Sequence, residues 1–586
     1  MPQSINNNQP AKDPQYSGSQ AVVENSLRRA EQLKRKKDPW LDQFQLVGEF
    51  VHMRKQEFQS EHTAGEFLTR DIFDPAAPKA AHTAASTLIS LLWPMTTNRI
   101  QMTAPDTLEG TDEEKKYYEK VTKILLKVLD DPKANFGIAT SEYMLDQVTF
   151  GTSGVEIAKD KKTKVRFKPW GVKHMSIEEG ENDEVDTIYI QVKFTVQKIV
   201  KTYGIDNVSE KTREEFNQAQ YDVEKDILIA IEPRITGMQT SGKEGNKGKP
   251  FSSVHIEMKA KHLLKESGFD EMPIKVARFS KLIGEIYGRS LAMHGMPDIL
   301  QSNVVWESAT VAIEKSMDPA LGVYSDGVLG GGEIDTSAGA INVFNPSDQA
   351  KDRAPIFQLH QLGEFKQIVA LLQDLSERIS DHFLIDRLLD FNNESRMTAT
   401  EATLRDRMRS STLGQIFNRQ IASYFTPTIE RTFNLLLAGG HLGAIPGSEE
   451  AEDSNFVIPE SIADLMVSGE DVFDLTYFTP AMRIMQAEEA EGILRQAELA
   501  GTYAEIGLTD ALDCIDVDEG MDKYSKIVGA PSENSTSRVA RKKKRDGREA
   551  QMQQEAEAEQ ARSVTEGMRN VGQSGLVPTE APKREQ

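Results

Sequence analysis

The 586-residue chain holds a single cysteine, Cys514. One thiol closes no internal disulfide and builds no CxxC-type zinc or iron–sulfur site, so it reads as a buried structural thiol in a protein made in a reducing cytoplasm. Long apolar runs are missing as well. None reaches the roughly 18 residues of a membrane-spanning helix, so no membrane partner is expected, and Leu88–Trp93 reads as a piece of core helix. The polar N-terminus, rich in Asn, Gln, Pro and Ser, has no apolar centre of a secretory signal; residues 1–20 are expected to form a disordered arm. Positive charge is in short supply: 69 Lys and Arg against 91 Asp and Glu leave a net charge of −22. Such a chain is poorly suited to wrapping nucleic acid by phosphate neutralisation, which still leaves room for a local basic patch.

Catalytic signatures are missing too. The sequence has no GxxxxGK[ST], no GxGxxG after a strand, no GxSxG elbow, and no HExxH or HxH among its ten histidines. His52 and His62, or His255 and His262, do not have compelling ligand spacing. Gly330–Gly332 has no lysine after it and reads as a mobile loop rather than a phosphate cradle. In so long a chain this silence points to a structural or binding component, with no cofactor, no metal and no catalytic residue.

What is present is enough for a sizeable core: 38% hydrophobic residues beside 27% charged, with a mean hydropathy of −0.47. At about 100–200 residues per domain, the length suits roughly three to five units. Residues 21–37 spell a basic helix (Arg28, Arg29, Lys34 to Lys37), read as a solvated face. Trp40, Phe44, Val47, Val51 and Phe58 fall on one helical stripe. Thr111 and Glu114 form a capping box opening a helix with Tyr117, Val121, Leu125 and Val128 on one face. From 151 to 280 the apolar period changes to two. VEIA (155–158) and VRFKPW (165–170) flank a hairpin turn at Asp160–Thr163. Ile188, Ile190, Val192 and Phe194 alternate with Tyr189, Gln191, Lys193 and Thr195 as a half-buried strand, and 226–235, 254–260 and 273–279 continue a mostly antiparallel sheet, with 240–249 a flexible tip or loop.

Helices return at 290. Pro297 suits the first position of a helix running to about 317. Its apolar residues Leu300, Val304, Ala309 and Ile313 make a narrow stripe, which fits sideways packing against identical neighbours or an ordinary surface helix. Residues 318–357 break up around Pro319, Gly322 and Gly327, with β-like pieces at 341–344 and 355–360. A helix is expected over 362–386, a polar breaker at 388–397, and a long helix from the Thr398/Glu401 cap to about 437, bent at Pro427 and closed by Gly439–Gly440. Nine acids and no Lys or Arg lie between Arg431 and Arg483. Helical signals follow at about 480–525, then the basic run Arg541, Lys542, Lys543, Lys544 and Arg545 before helix-prone sequence and a loose tail.

Three stretches taken in order resemble one family. They are FDPAAPKAAHTAASTLISLLWP (73–94), GEIYGRS (284–290) before a long helix, and ESRMTATEA (394–402) opening another. Together, over about 38–440, they resemble the portal, or head-to-tail connector, proteins of short-tailed, podovirus-type bacteriophages. The resemblance implies an α+β, mainly helical, multidomain fold assembling as a dodecameric, cyclic ring at one capsid vertex of the virion. The wing would be 38–289 (helical to 150, β-rich over 151–280). The stem helices would be 290–317 and 362–386, flanking a clip at 318–361. A tunnel loop at 387–398, a long wing helix at 398–437, a crown at 438–535 and a tail at 536–586 would complete the chain, after the arm and basic helix at 1–37.

The implied partners are double-stranded DNA passing without sequence recognition, the terminase large subunit, the tail adaptor, the major capsid and scaffolding proteins, and internal core proteins. In the tunnel loop Arg387, Asn392, Asn393 and Arg396 would touch DNA, although each also suits an ordinary loop or cap, and Arg396 suits anchoring Asp390 and Glu394. Arg541 to Arg545 would touch packaged DNA or stay solvated. Asp326, Gly330, Gly331, Gly332 and Glu333 would lie where the clip meets the motor and adaptor. Helices about 10 Å apart on a twelve-membered circle leave a channel roughly 28 Å across, enough for a duplex roughly 20 Å wide. Two other classes compete: a different virion structural protein, such as a scaffold or internal core protein, and a DNA-processing enzyme.

Overall fold

A computed structural model describes residues 19–53, 57–60, 65–94, 99–105, 111–234, 248–324, 334–344, 356–359, 365–389, 413–444, 446, 456–468, 471–506, 516–528 and 538–573. The chain is α+β and folds as two compact units, Met1–Met95 with Leu125–His441, and Thr96–Ile124 with Leu442–Gln586. To residue 150 the elements are α1 (Ser19–Lys37), α2 (Leu41–Phe50), α3 (Ala76–Leu92), β1 (Ile100–Thr103), α4 (Asp112–Leu129) and α5 (Phe136–Phe150). Then come β2 (Thr152–Asp160), β3 (Lys164–Gly171), β4 (Met175–Glu179), β5 (Val185–Thr195), α6 (Val196–Tyr203), α7 (Glu210–Asn217), β6 (Glu224–Pro233), β7 (Phe251–Glu257), β8 (His262–Phe269) and β9 (Ile274–Arg278).

In the first unit the strands from β2 to β9 form two antiparallel sheets, ordered β3–β2–β9 and β4–β5–β6–β7–β8. The expected hairpin joins β2 to β3. Asp160 accepts from the backbone N–H of Thr163 at 3.0 Å and of Lys162 at 3.1 Å, and these bonds hold its carboxyl below the usual range. The expected half-buried strand is instead buried on both faces along 188–190. The cause is α1, whose Val23, Ala30 and Leu33 pack on Tyr189, Leu228, Ala230, Val254 and Ile256. On the other face Ile199 and Tyr203 of α6 cover Phe194, Ile227 and Leu264. The helices α6 and α7 interrupt what read as continuous period-two sequence. Their start signals are there, since Thr195 and Ser209 each cap a helix through the side-chain oxygen.

Docking also corrects the reading of α1 as a solvated basic face. Arg28, Lys34 and Arg35 are exposed, but Arg29 and Lys36 pair with Glu178, and Lys37 is buried. The stripe expected through Phe58 ends with α2. Phe58 sits on a following turn, where Gln45 accepts from the backbone of Phe58 and Gln59 at 3.0 Å, and its ring packs 5.4 Å from Phe44 and 5.2 Å from Phe150. The insert at 240–247 lies outside the described residues.

In the second unit β1 pairs antiparallel with strand Asp474–Tyr477. The capping box forms as read: Thr111 N–H donates to Glu114 Oε2 at 2.8 Å and Glu114 N–H to Thr111 Oγ1 at 3.4 Å, while Ser461 donates to the second Glu114 oxygen at 2.6 Å. The helices expected over 480–525 are Pro480–Glu505 and Val517–Val528, and the helix Arg538–Gln573 follows.

Candidate functional site

The sequence directs attention to the helix pair after residue 290. There the first unit holds α8 (Leu291–Met317), β10 (Leu321–Tyr324), β11 (Ile341–Phe344), β12 (Ile356–Gln358), α9 (Phe365–His382) and α10 (Ile385–Leu389). The first helix starts six residues before Pro297. Ser290 Oγ accepts from Met293 N–H at 3.0 Å, and the packing of buried Ala292 and Gly295 outweighs the donor that an internal proline lacks. Gly295 lies against His382, whose Nε2 is 2.9 Å from Asp298 Oδ2; a Cβ on Gly295 would stand 3.1 Å from the His382 side chain. Leu372, Leu375, Ile379 and Phe383 line the buried side of α9 and the residue after it. The second helix, expected to run unbroken to 386, stops at His382 because Leu384 takes a left-handed conformation (φ 57°) before α10 begins.

The middle of α8 is pinned. Buried Asn303 accepts from the N–H groups of Phe73 (2.8 Å) and Asp74 (3.3 Å) and donates to Asp71 O (3.1 Å); Ser302 donates to Asp74. Beyond Asn303 the helix carries large apolar residues into the open: Val304 is 59% exposed, Val311 45% and Met317 83%. At about 100° per residue, Trp306, Ile313 and Met317 continue the side that Gly295 and Ile299 present to α9, whereas Leu300, Val304 and Val311 form a second stripe about 140° away. The single narrow stripe read from the sequence is therefore two: Leu300 and Val304 belong to the outer one, Ala309 and Ile313 to the side of α9.

Between the helices, β11–β10–β12 form a small sheet. The β-like pieces at 341–344 and 355–360 are found as β11 and β12, while β10 pairs parallel with the first and antiparallel with the second. After α10, α11 covers 413–437 and contains a π turn, Ile421–Phe425, two residues before Pro427, where a bend was expected. Here Trp93, at the end of the 73–94 stretch, stacks on Phe425 at 5.6 Å, and Tyr143 on Tyr424 at 3.8 Å. Arg431 is buried, donating to Ile157 O at 3.1 Å and Glu271 O at 3.2 Å. Gly440 (φ 69°) closes the helix as read.

GEIYGRS crosses the start of β2 at a glycine pair. A Cβ on Gly288 would fall 2.3 Å from Gly151 O, and one on Gly151 2.4 Å from Gly288 O. Of the marked stretches, 73–94 thus meets α11 through Trp93 and GEIYGRS runs directly into α8, while 394–402 lies outside the described residues. Over residues 24–534 the sequence matches the family described as bacteriophage head to tail connecting protein. The chain belongs to that family. It is 21% identical over 515 residues to the portal protein of Salmonella phage epsilon15, which covers 86% of this chain and 87% of that one. A probable portal protein of Bordetella phage BPP-1 is 22% identical over 565 residues, covering 94% of this chain and 95% of its own.

In this connector-family chain the expected site residues are described only in part. Arg387 lies exposed on α10, whose Leu388 is buried. Asn392, Asn393 and Arg396 lie outside the described residues, as do the Thr398/Glu401 cap and Asp326, Gly330, Gly331, Gly332 and Glu333. The basic run falls on the helix Arg538–Gln573 and divides by partner. Arg541 and Arg545 reach Asp518 at 3.4 and 2.7 Å, whereas Lys542, Lys543 and Lys544 are exposed. The two-sided character of α8 escaped the sequence reading; plotting each apolar residue by angle would have found it.

Proposed function

We propose that this connector is the portal of a bacteriophage head: a non-enzymatic, dodecameric ring at one capsid vertex, through which double-stranded DNA is packaged and ejected and onto which the terminase motor and the tail dock. The observation that carries this reading is the pair of apolar stripes on α8. One stripe turns toward the subunit's own α9 at Gly295 and Ile299 and opens farther along, with Met317 83% exposed; the other, with Val304 59% and Val311 45% exposed, needs a cover. A neighbouring copy placed by rotation supplies that cover at every position, and such heterologous contacts close into a ring. In this reading α8 and α9 are the stem, the β10–β11–β12 region is the clip, residues 387–398 form the tunnel loop, and 398–437 the long wing helix. The wing, crown and tail take the ranges expected from the sequence.

Charge supports a conduit. Along α8 stand Asp298, Glu307 and Glu314 against Lys315 alone. A duplex that must slide is better centred by like charge than held by a cationic wall. Arg387, with Asn392, Asn393 and Arg396, would then give transient phosphate contacts at the tunnel loop. Negative-stain imaging with particle mass on the same sample tests the reading. Rings near twelve subunits are expected from the wild type, and Val304→Glu with Val311→Glu is expected to leave folded subunits that do not close. Wild-type protein that stays monomeric or dimeric at high concentration, even with other head components present, would count decisively against the portal.

A further inference from the structure

The small sheet between the stem helices is mostly apolar on both faces, the exceptions being Gln358 on the face of Ile356 and buried Asn342 on the other. Register places Leu321 and Val323 of β10 on one face with Ile341 and Val343 of β11 and Ile356 of β12. Ile341 is 68% exposed, Ile356 56% and Val343 42%. The opposite face is aromatic. The Phe357 ring lies over Gly322, where a Cβ would stand 2.5 Å from it, and packs 5.0 Å from Tyr324 and 5.7 Å from Phe344; all three rings are half-buried. None of the strand residues carries a charge, in a chain whose net charge is −22. Three strands of three or four residues are too small to stand alone with both apolar faces wet.

We infer that the two faces are covered by the same sheet of the neighbouring subunits, the aliphatic face of one against the aromatic face of the next. The inference rests on the ring proposed above and names its contact at the clip. β10 begins four residues after α8 ends, so each copy of the sheet is carried at the spacing of the stems. That spacing, about 10 Å, is also the distance at which two sheets pack face to face. A heterologous contact between two different faces repeats around a closed ring without leaving an uncovered end. The strand residues bring no charge of their own to the contact, and the described carboxylate beside the aromatic face is Asp335, whose backbone exchanges hydrogen bonds with the Asn342 side chain.

The test uses the full chain with Cys514→Ser. Subunits carrying Ile341→Cys are co-assembled with subunits carrying Tyr324→Cys, and the rings are treated with a short bis-maleimide. A dimer-sized band on a denaturing gel is expected from the mixture and not from either variant alone. Because each chain then has one cysteine, no intrachain bridge can hide the result. In parallel, Ile341→Lys with Ile356→Lys, both at exposed positions, should leave the far-ultraviolet spectrum of dissociated subunits unchanged. It should raise the subunit concentration at which rings fall apart by at least about tenfold. Wild-type rings that form normally, with no mixed band and no change in the lysine variant, would overturn the stacked clip while leaving the ring intact. Equal bands from each variant alone would replace the two-face contact by a like-with-like one and overturn it as well. Failure of the wild type to form rings would overturn the portal reading and this contact with it.

Discussion

Lys37 is buried at the end of α1, with Nζ donating to Val172 O at 2.6 Å and Lys173 O at 2.8 Å. Burial, helped by the nearby Lys34 and Lys173 and opposed by Asp38, lowers its pKa from 10.5 to about 7. The folded state therefore gives up this proton before the unfolded chain does. The cost of the buried charge is fully present below about pH 7 and is relieved as pH rises from there toward 10.5. The melting temperature of wild type relative to Lys37→Met should accordingly climb by a few degrees across that window. A difference flat with pH would mean that the ammonium keeps its ordinary pKa. Glycine at 288 makes a second case. Gly288→Ala drives a Cβ into backbone, whereas Gly284→Ala, at φ 87° with nothing within 4 Å, meets only conformational strain. Urea unfolding should show a loss above about 2 kcal/mol for the first and about 1 kcal/mol for the second. Equal losses would refute the close approach of Gly151 and Gly288.

At the scale of elements, α8 is pinned at its middle. Asn303 makes three hydrogen bonds to the 71–74 segment, and that segment has no regular structure to hold it otherwise. Asn303→Ala should release it, at a cost of about 2–3 kcal/mol, with much faster hydrogen exchange at the Phe73 and Asp74 amides and little change along α8. Unchanged exchange at those two amides would sink the pin. Local signals of this kind explain what was legible. The Thr111/Glu114 box, the Asp160 turn and the Gly440 stop are each decided by a few adjacent residues, and all three formed as read. What escaped was decided at long range. Tyr189 is buried because α1, some 160 residues earlier, lies over it, and Pro297 is tolerated inside α8 because Gly295 packs on His382. The tunnel-loop and clip candidates came through the family resemblance, and most lie outside the described residues, so their roles rest on that resemblance.

For the whole molecule, the proposed ring would have to limit cationic contact with DNA to a few places. Shortening 388–397 should leave rings intact but impair retention or passage of DNA; heads filled and retained normally would contradict the tunnel-loop role. The basic run makes a separable case. Arg541 and Arg545 share the single carboxylate of Asp518, a half-exposed contact that contributes little to stability and offsets one of their two charges. Lys542, Lys543 and Lys544 are exposed on the same helix. If these three meet packaged DNA, replacing them with alanine removes three phosphate contacts, and each contact releases about 0.9 of a counterion. The slope of log affinity against log salt for a short duplex on assembled rings should then flatten by about 2–3, while Arg541→Ala with Arg545→Ala should change it by less than about 1. An unchanged slope in the lysine variant would assign the run to solvent.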